Sequence, residues 1–309
     1  MTGPASSGVS AIVVTFYSGP ALKECLNALR SDPEVSEIVV VNNGTTTEDL
    51  DWVRSVSQTP GNDTRIVTGH GNVGFSAGVN LGVEHSRCDK LLVINPDAVL
   101  HAHSITELEQ ARQMGKSPCL VGGKLIYPDG SEVRGARREA LTPWRVFVSF
   151  SGLSKLESRF KVFRSMHRDH DPEPESAVPM PVVSGACCYI SRNDFDSING
   201  FDEGYFLHVE DIDICRRVAE AGGEVMYAPK AVALHYGSTS KASVFFVEWN
   251  KAKGLARYFS VNAKSDLTRG VAKLSIVAFA PLLIGRSLLI RSVQKVRNAL
   301  SPVDYKTEN

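Results

Sequence analysis

The chain has no surplus of charge of either sign: Lys and Arg number 34, and so do Asp and Glu. Proteins that coat nucleic acid neutralise phosphates with a basic excess, so no nucleic-acid partner is expected. Cysteine is sparse, with six residues (Cys25, Cys88, Cys119, Cys187, Cys188 and Cys215) and no C-x-x-C pair. That spacing argues against a zinc site or a disulfide framework and for reduced thiols in a core. Long apolar runs are lacking too. Within the most apolar stretch, 271–291, the uncharged part is the twelve residues from Leu274 to Gly285, interrupted by Pro281. A bilayer span takes about 20 apolar residues, so no transmembrane helix is expected. Met1–Ser10 has no basic stretch and Ala11–Val14 is too short for a secretory signal core, which places the expected catalytic part in the cytoplasm. No internal repeat is evident.

What is present is ordinary globular composition, 43% hydrophobic and 22% charged over 309 residues, enough for one large or two small domains. The balance of charge hides a strong asymmetry. From Lys251 onward eleven bases face three acids, so the tail carries +8 and residues 1–250 carry −8. Around 271–297 the bases Arg286, Arg291, Lys295 and Arg297 flank apolar residues, a composition that suits an interfacial helix on an anionic leaflet. A core helix or a homo-oligomer contact fits the same residues. If the membrane reading holds, the protein works at the inner face of the cell membrane.

Short β-branched runs alternate with helical patterns through the first half. Strands are predicted at Ala11–Thr15, Ile38–Val41, Arg65–Thr68 and Leu91–Asn95, and helices at Ala21–Arg30, around Glu48–Val56 and at Ser76–His85. This alternation implies crossover units, hence an α/β fold with a mainly parallel central sheet flanked by helices. Glu157–Pro181, charged and rich in proline, reads as a long mobile connection or a substrate lid. Beyond it a strand is expected at Ala186–Ile190, a helix at Val209–Ala221, and strands near Val225–Tyr227 and Ala231–Leu234. Ligands of such sheets gather at the carboxyl ends of the strands, here Thr15–Tyr17, Asn42–Thr45 and Asn95–Asp97.

Gly69–Gly74 matches G-x-G-x-x-G but follows the third predicted strand rather than the first, which argues against a dinucleotide fingerprint. Asp97 closes a buried apolar strand, where an unpaired carboxylate is costly and a hard cation or a capping role would satisfy it. Glu210, Asp211 and Asp213 open a helix. Acids there complement the helix dipole, and the same field keeps a general base ionised. The Gly200–Phe206 turn before them carries aromatics suited to sugar rings or to plain packing. His235 ends a strand before Gly237, as a structural histidine or a metal ligand.

Ile12–Phe16, Val39–Thr45, Asn72–Asn80, Asn95–Asp97, Ser184–Ile190, Gly200–Asp213 and His235 together resemble glycosyltransferase family 2, and within it the bacterial rhamnosyltransferase-like branch with the GT-A fold. The resemblance covers about residues 10–260. It implies a GT-A domain at 1–260, with a nucleotide-binding half at 1–100 and an acceptor and catalytic half at 101–260, followed by an apolar, basic helical extension at 261–309. Thr15, Phe16 and Tyr17 would begin the nucleotide pocket. Asn42, Asn43, Gly44 and Thr45 stand where the family has Asp-Asn-Gly-Ser, and Asn42 departs from the acid that often reads the base or ribose. Asn72, Gly74, Phe75, Ser76 and Asn80 match the nucleotide-sugar segment. Asn95-Pro96-Asp97 occupies the Asp-x-Asp place, with Asp97 holding Mg2+ or Mn2+ and His235 assisting. Ser184 and Gly185 would line donor and acceptor. Glu210 and Asp211 correspond to the catalytic acidic pair, Asp211 being the base.

The implied reaction is inverting transfer of a sugar onto a hydroxyl, with L-rhamnose from dTDP-L-rhamnose as the first choice and a UDP-sugar as the alternative. The acceptor would be a saccharide or a polyprenyl-linked saccharide in cell-envelope assembly. Two other classes are less well supported. A sugar-phosphate nucleotidyltransferase wants a basic Gly-rich loop straight after the first strand, and no base precedes Lys23 there. A non-catalytic nucleotide-sugar binder would have no need of the acids at 97, 210 and 211.

Overall fold

In the computed structural model, which describes residues 6–59, 63–237 and 242–300, strands β1 (Ser6–Thr15), β2 (Val35–Asn42), β3 (Asp63–Val67) and β4 (Cys88–Ile94) alternate with helices α1 (Ala21–Ser31), α2 (Thr47–Ser57) and α3 (Phe75–Glu84). The following elements are β5 (Ala98–Leu100), α4 (Ser104–Met114), β6 (Cys119–Ile126), β7 (Arg137–Arg138), α5 (Pro143–Ser151), β8 (Val178–Pro179), β9 (Val182–Val183) and β10 (Cys187–Ser191). Then come α6 (Arg192–Ser197), α7 (Glu210–Glu220), β11 (Glu224–His235), α8 (Val244–Val261) and α9 (Asp266–Leu300). The chain divides into two compact units, Met1–Lys241 and Ala242–Asn309. The sequence reading draws its border near 260. The units part earlier because α8 packs along α9.

The first unit is built on a nine-stranded sheet in the order β3-β2-β1-β4-β10-β6-β11-β5, with β8 on β11. β1, β2, β3, β4, β6 and β11 run parallel; β10, β5 and β8 run against them. The parallel strands are apolar on both faces because helices cover both: Ala11, Ile12, Val13, Ile38, Val39 and Val41 are all fully buried. Helix α1 lays Leu22, Cys25, Leu26 and Leu29 on the core, spaced three and four apart as a buried helical stripe requires. Thr46 caps α2 by accepting from the Asp49 amide at 3.2 Å. All six cysteines are buried, as their apolar settings predict.

The structure departs from the sequence reading in two expectations and in one strand that it did not foresee. The two strands expected after α7 are one, β11, whose register against β6 shifts between Ala228 and Val232, around Pro229. Strand β6 carries no clear β pattern because Gly122 and Gly123 sit mid-strand. A Cβ at Gly122 would lie 2.3 Å from Val183 Cβ, and one at Gly123 2.9 Å from the Ala231 carbonyl oxygen. The connection 157–181 is tied down rather than trailing: Arg164 and Arg168 pair with Asp171 and Glu139, and β8 joins the sheet.

In the second unit α9 contains Pro281 and buries Ala272, Ala280 and Leu283, while Ser287 donates to Glu248 of α8 at 2.8 Å. Val271, Leu274, Val277, Leu282, Leu288 and Leu289 are exposed. The side chains of Ile276, Phe279, Arg291, Lys295 and Arg297 lie outside the described residues. No helix among the described residues is long and apolar enough to cross a membrane.

Candidate active site

The strand order places β1 between β2 and β4, so the order reverses at β1, the point where sheets of this kind form their ligand crevice at the carboxyl ends of the strands. Thr15, at the end of β1, is buried. Its hydroxyl donates to the Val41 carbonyl at 3.3 Å and accepts from Thr45 Oγ1 at 2.6 Å. Asn42 Oδ1 accepts from the amides of Gly44 (3.1 Å) and Thr45 (2.8 Å), folding the β2 end into a tight turn. Asn43 bridges segments: its amide donates to Thr15 O at 2.9 Å, its side-chain NH2 donates to Gly74 O at 2.8 Å, and its Oδ1 lies 3.2 Å from His70 Nε2. Phe16 lies against Gly44, and Tyr17, 43% exposed, stands edge-on to Phe16 at 4.7 Å.

The 72–75 segment forms the next wall. Asn72 Oδ1 accepts from the Gly74 amide at 3.1 Å, and the Phe75 amide donates to Phe206 O at 2.8 Å. Gly74 has φ +86, and a Cβ there would come within 2.6 Å of that same Phe206 oxygen. Gly74→Ala is therefore expected to destabilise the protein by at least the roughly 1–2 kcal/mol of a left-handed non-glycine residue, read as a lowered Tm in thermal unfolding. An unchanged Tm would mean that the segment re-seats without this contact. Ser76 is fully buried at the start of α3. Asn80, expected beside the donor, has its amide occupied elsewhere: it donates to Phe201 O at 2.9 Å and to Glu203 Oε1 at 3.0 Å, and accepts from Phe201 N at 2.9 Å. It ties the 200–206 turn to α3.

Asp97 follows β4, and the register of β5 on β11 pairs Ala98 with His235. That register brings the Asp97 carboxylate to 3.2 Å from His235 Nε2 with both side chains largely buried. Neither ring nitrogen of His235 has a hydrogen-bond partner among the described residues. An imidazole so placed beside a carboxylate is a donor set that suits a divalent cation. Among the described residues no third His, Cys, Asp or Glu completes a cluster, so such an ion would depend on substrate phosphate and water for its remaining ligands.

The Asn95 amide donates to Ala186 O at 2.9 Å, which links this corner to the 184–186 segment. Ser184 Oγ accepts from the Ala186 amide at 3.2 Å, and the Gly185 amide donates to Asp211 Oδ2 at 3.3 Å. A Cβ on Gly185 would meet Asp211 Cβ at 3.2 Å and Phe75 at 3.8 Å, so Phe75, Gly185 and Asp211 converge. Two left-handed residues in a row, His208 (φ +68) and Val209 (φ +76), precede Glu210. For a β-branched valine this is a strained conformation, and it aims the first turn of α7 into the crevice.

The three acids of that turn are not equivalent. Asp213 is 1% exposed and held by Arg216 at 2.9 Å and Arg217 at 2.7 Å, a structural role that removes it as a base. Asp211 lies at the crevice in an ion pair with Arg138 of β7, and its Oδ1 accepts from the Ile212 amide at 2.8 Å. Glu210 is buried, and one of its carboxylate oxygens has no hydrogen-bond partner among the described residues. Burial first, and then the adjacent Asp211 charge, push its carboxyl up to about 8 from an ordinary 4.5, so it keeps its proton at neutral pH. The native state thus holds a proton that the unfolded chain releases near 4.5. Stability from this group is full below that pH and is lost as pH rises through about 8. Glu210→Gln should abolish that loss, leaving the variant several degrees higher in Tm relative to wild type at alkaline pH than at pH 4. Parallel Tm profiles would show that Glu210 titrates normally.

A family model described as glycosyl transferase family 2 matches residues 10–198, which include both walls of the crevice and the Asn95–Asp97 corner. The chain belongs to glycosyl transferase family 2. A second model, described as the N-terminal domain of galactosyltransferase, matches residues 172–240 of the glycosyltransferase. It is 27% identical over 244 residues to an N-acetylglucosaminyl-diphospho-decaprenol L-rhamnosyltransferase of Mycobacterium tuberculosis, covering 74% of this chain and 76% of the relative. Among solved structures it resembles the mannosyltransferase PcManGT from Pyrobaculum calidifontis in complex with GDP-Man and Mn2+, with TM-score 0.55, 14% identity, and 94% and 78% of the two chains covered. It also resembles GalNAc-T7 with UDP, GalNAc and Mn2+, with TM-score 0.56, 13% identity, 89% of this chain and 58% of that one. These similarities establish the GT-A fold of the glycosyltransferase.

Sequence reasoning missed Arg138, 73 residues from the acid it pairs with, and His70, whose Nε2 lies 3.2 Å from Asn43 Oδ1. The Arg137-Arg138 doublet is the one signal that could have drawn notice.

Proposed function

We propose that the protein is an inverting glycosyltransferase that moves L-rhamnose from dTDP-L-rhamnose to a hydroxyl of a polyprenyl-linked saccharide. The observation that carries this reading is the convergence of Asp211, Gly185 and Phe75 beside the Asn95–Asp97 corner. It brings the Asp211 carboxylate, the 184–186 segment and the Phe75 ring together next to that corner. The choice of donor and acceptor is supported by the mycobacterial relative's name.

Thr15, Phe16, Tyr17, Asn42, Asn43 and Gly44 receive the nucleoside, with Phe16 and Tyr17 as the aromatic wall. Asn72, Gly74, Phe75 and Ser76 border the sugar and diphosphate. Asp97 and His235 hold Mg2+ or Mn2+, whose charge offsets that of the departing diphosphate. Asp211 removes the proton from the acceptor hydroxyl as the hydroxyl oxygen bonds to the anomeric carbon and the bond to the diphosphate breaks on the opposite face. Arg138 and the Gly185 amide orient the Asp211 carboxylate. Neutral Glu210 keeps a second negative charge away from it at pH 7. The basic, apolar α9 holds the enzyme at the inner membrane face.

The test is a turnover panel of dTDP-L-rhamnose, UDP-hexoses and GDP-mannose with a short-chain N-acetylglucosaminyl-diphospho-polyprenol, with and without Mn2+. The anomeric configuration of the product is read by NMR. Transfer from dTDP-L-rhamnose with inversion is expected. Transfer from a UDP-sugar alone, or retention, would overturn the proposal.

A further inference from the structure

On the far side of β7 the first unit exposes an unusual surface. Trp144 and Phe147 of α5 pack ring to ring at 5.6 Å, Trp144 meets Phe163 at 6.1 Å, and Phe163 meets Phe160 edge-on at 6.2 Å. Although they touch one another, Trp144, Phe147, Phe160, Leu156 and Val162 remain between 43% and 61% exposed. Water-facing aromatic clusters of this kind mark an interaction site. Trp144 Nε1 also donates to the Val162 carbonyl at 2.8 Å, which ties α5 to the 160–163 segment.

Charge identifies the partner. Residues 143–164 hold five bases (Arg145, Lys155, Arg159, Lys161 and Arg164) and one acid, Glu157, within a region of the chain that is acidic overall. Glu157 is turned inward, accepting from the Ser165 amide at 3.0 Å and lying 3.7 Å from Arg164. Arg145 and Arg164 pair with Glu139 beneath the surface. Lys155, Arg159 and Lys161 are exposed and make no ion pair among the described residues. Exposed aromatic side chains in one segment with exposed bases that make no ion pair among the described residues match the boundary between anionic headgroups and acyl chains.

We infer that the face formed by residues 144–163 docks the first unit on an anionic lipid bilayer, with Trp144, Phe147 and Phe160 in the headgroup boundary and Lys155, Arg159 and Lys161 on lipid phosphates. This goes beyond the transfer reaction above and does not depend on it or on α9. The same segment continues into β7: the Glu139 amide donates to Met166 O at 2.8 Å, and Arg138 next to it pairs with Asp211. The docked surface is thus one short strand away from the acid proposed as the base.

The test uses the full-length chain with Trp52→Phe and Trp249→Phe, which leaves Trp144 as the sole indole. On vesicles rich in phosphatidylglycerol, Trp144 emission should shift to the blue and be quenched by lipids brominated on their acyl chains. The effect should fade on phosphatidylcholine, and also at 1 M salt, where the Debye length falls from about 10 Å to about 3 Å. Lys155→Gln, Arg159→Gln and Lys161→Gln together should lower vesicle partition about 100-fold, at about 5-fold per charge. Unchanged Trp144 emission on vesicles that pellet the protein would place the contact elsewhere, in 271–297 for example, and overturn the inference. Failure to pellet at low salt would overturn it as well. Should the triple variant misfold by circular dichroism, the Trp144 reading on the unaltered bases decides alone.

Discussion

Asp211→Asn is expected to lower glycosyl transfer by about 10²–10⁴-fold, the range for loss of a general base. The amide keeps the shape of the side chain, and its single oxygen can still accept from one of the two amides, Gly185 or Ile212, that now hold the two carboxylate oxygens. It cannot take the acceptor proton, and it loses its ion pair with Arg138. Because the base faces the acceptor, binding of dTDP by calorimetry should hardly change, so kcat falls while donor affinity stays. Burial disfavours an ionised Glu210 in its place, and Asp213 is enclosed by two arginines. A variant that kept near-native turnover would remove Asp211 from the chemistry and direct attention to Glu210 above pH 8.

Asp97→Ala is expected to abolish the Mn2+-dependent part of dTDP binding and to cut turnover about 10³-fold, since a bound cation contributes several kcal/mol of charge stabilisation at a departing diphosphate. Among the described residues the substitution leaves His235 as the one protein side chain proposed to hold the ion at this corner. Fold should survive, because the backbone bond from the Tyr236 amide to Asp97 O, 3.0 Å, does not involve the side chain. Calorimetric titration of Mn2+ with dTDP reads the loss directly. An unchanged titration would remove Asp97 from metal binding and return its pairing with His235 to a purely structural role.

How much of this was legible beforehand differs element by element. Ala21–Arg30 was readable as a helix because Leu22, Cys25, Leu26 and Leu29 recur at helical spacing, and the structure buries those four. The β-branched runs before Thr15 and Asn42 read as strands for the same local reason, and the parallel sheet follows from their alternation with helices. Strand β6 was illegible because its glycines answer to Val183 and Ala231, residues far away in the chain. Within the crevice, Gly74 and Asp211 could be picked out by motif. The assignment of Asn80 beside the donor rested on motif position, and the structure engages its amide with Phe201 and Glu203 instead.

The sheet-and-helix alternation, the strand ends that carry the candidate residues, and the family are readable along the chain, because those depend on side chains a few residues apart. Tertiary structure alone decided which of three neighbouring acids is enclosed, which is protonated and which meets the crevice. It also decided that Arg138 faces Asp211 and that Asp97 faces His235. The physical reason is that burial and charge pairing are set by whatever the fold brings from distant strands. Identical carboxylates one or two residues apart on a helix therefore acquire different states that no local pattern encodes.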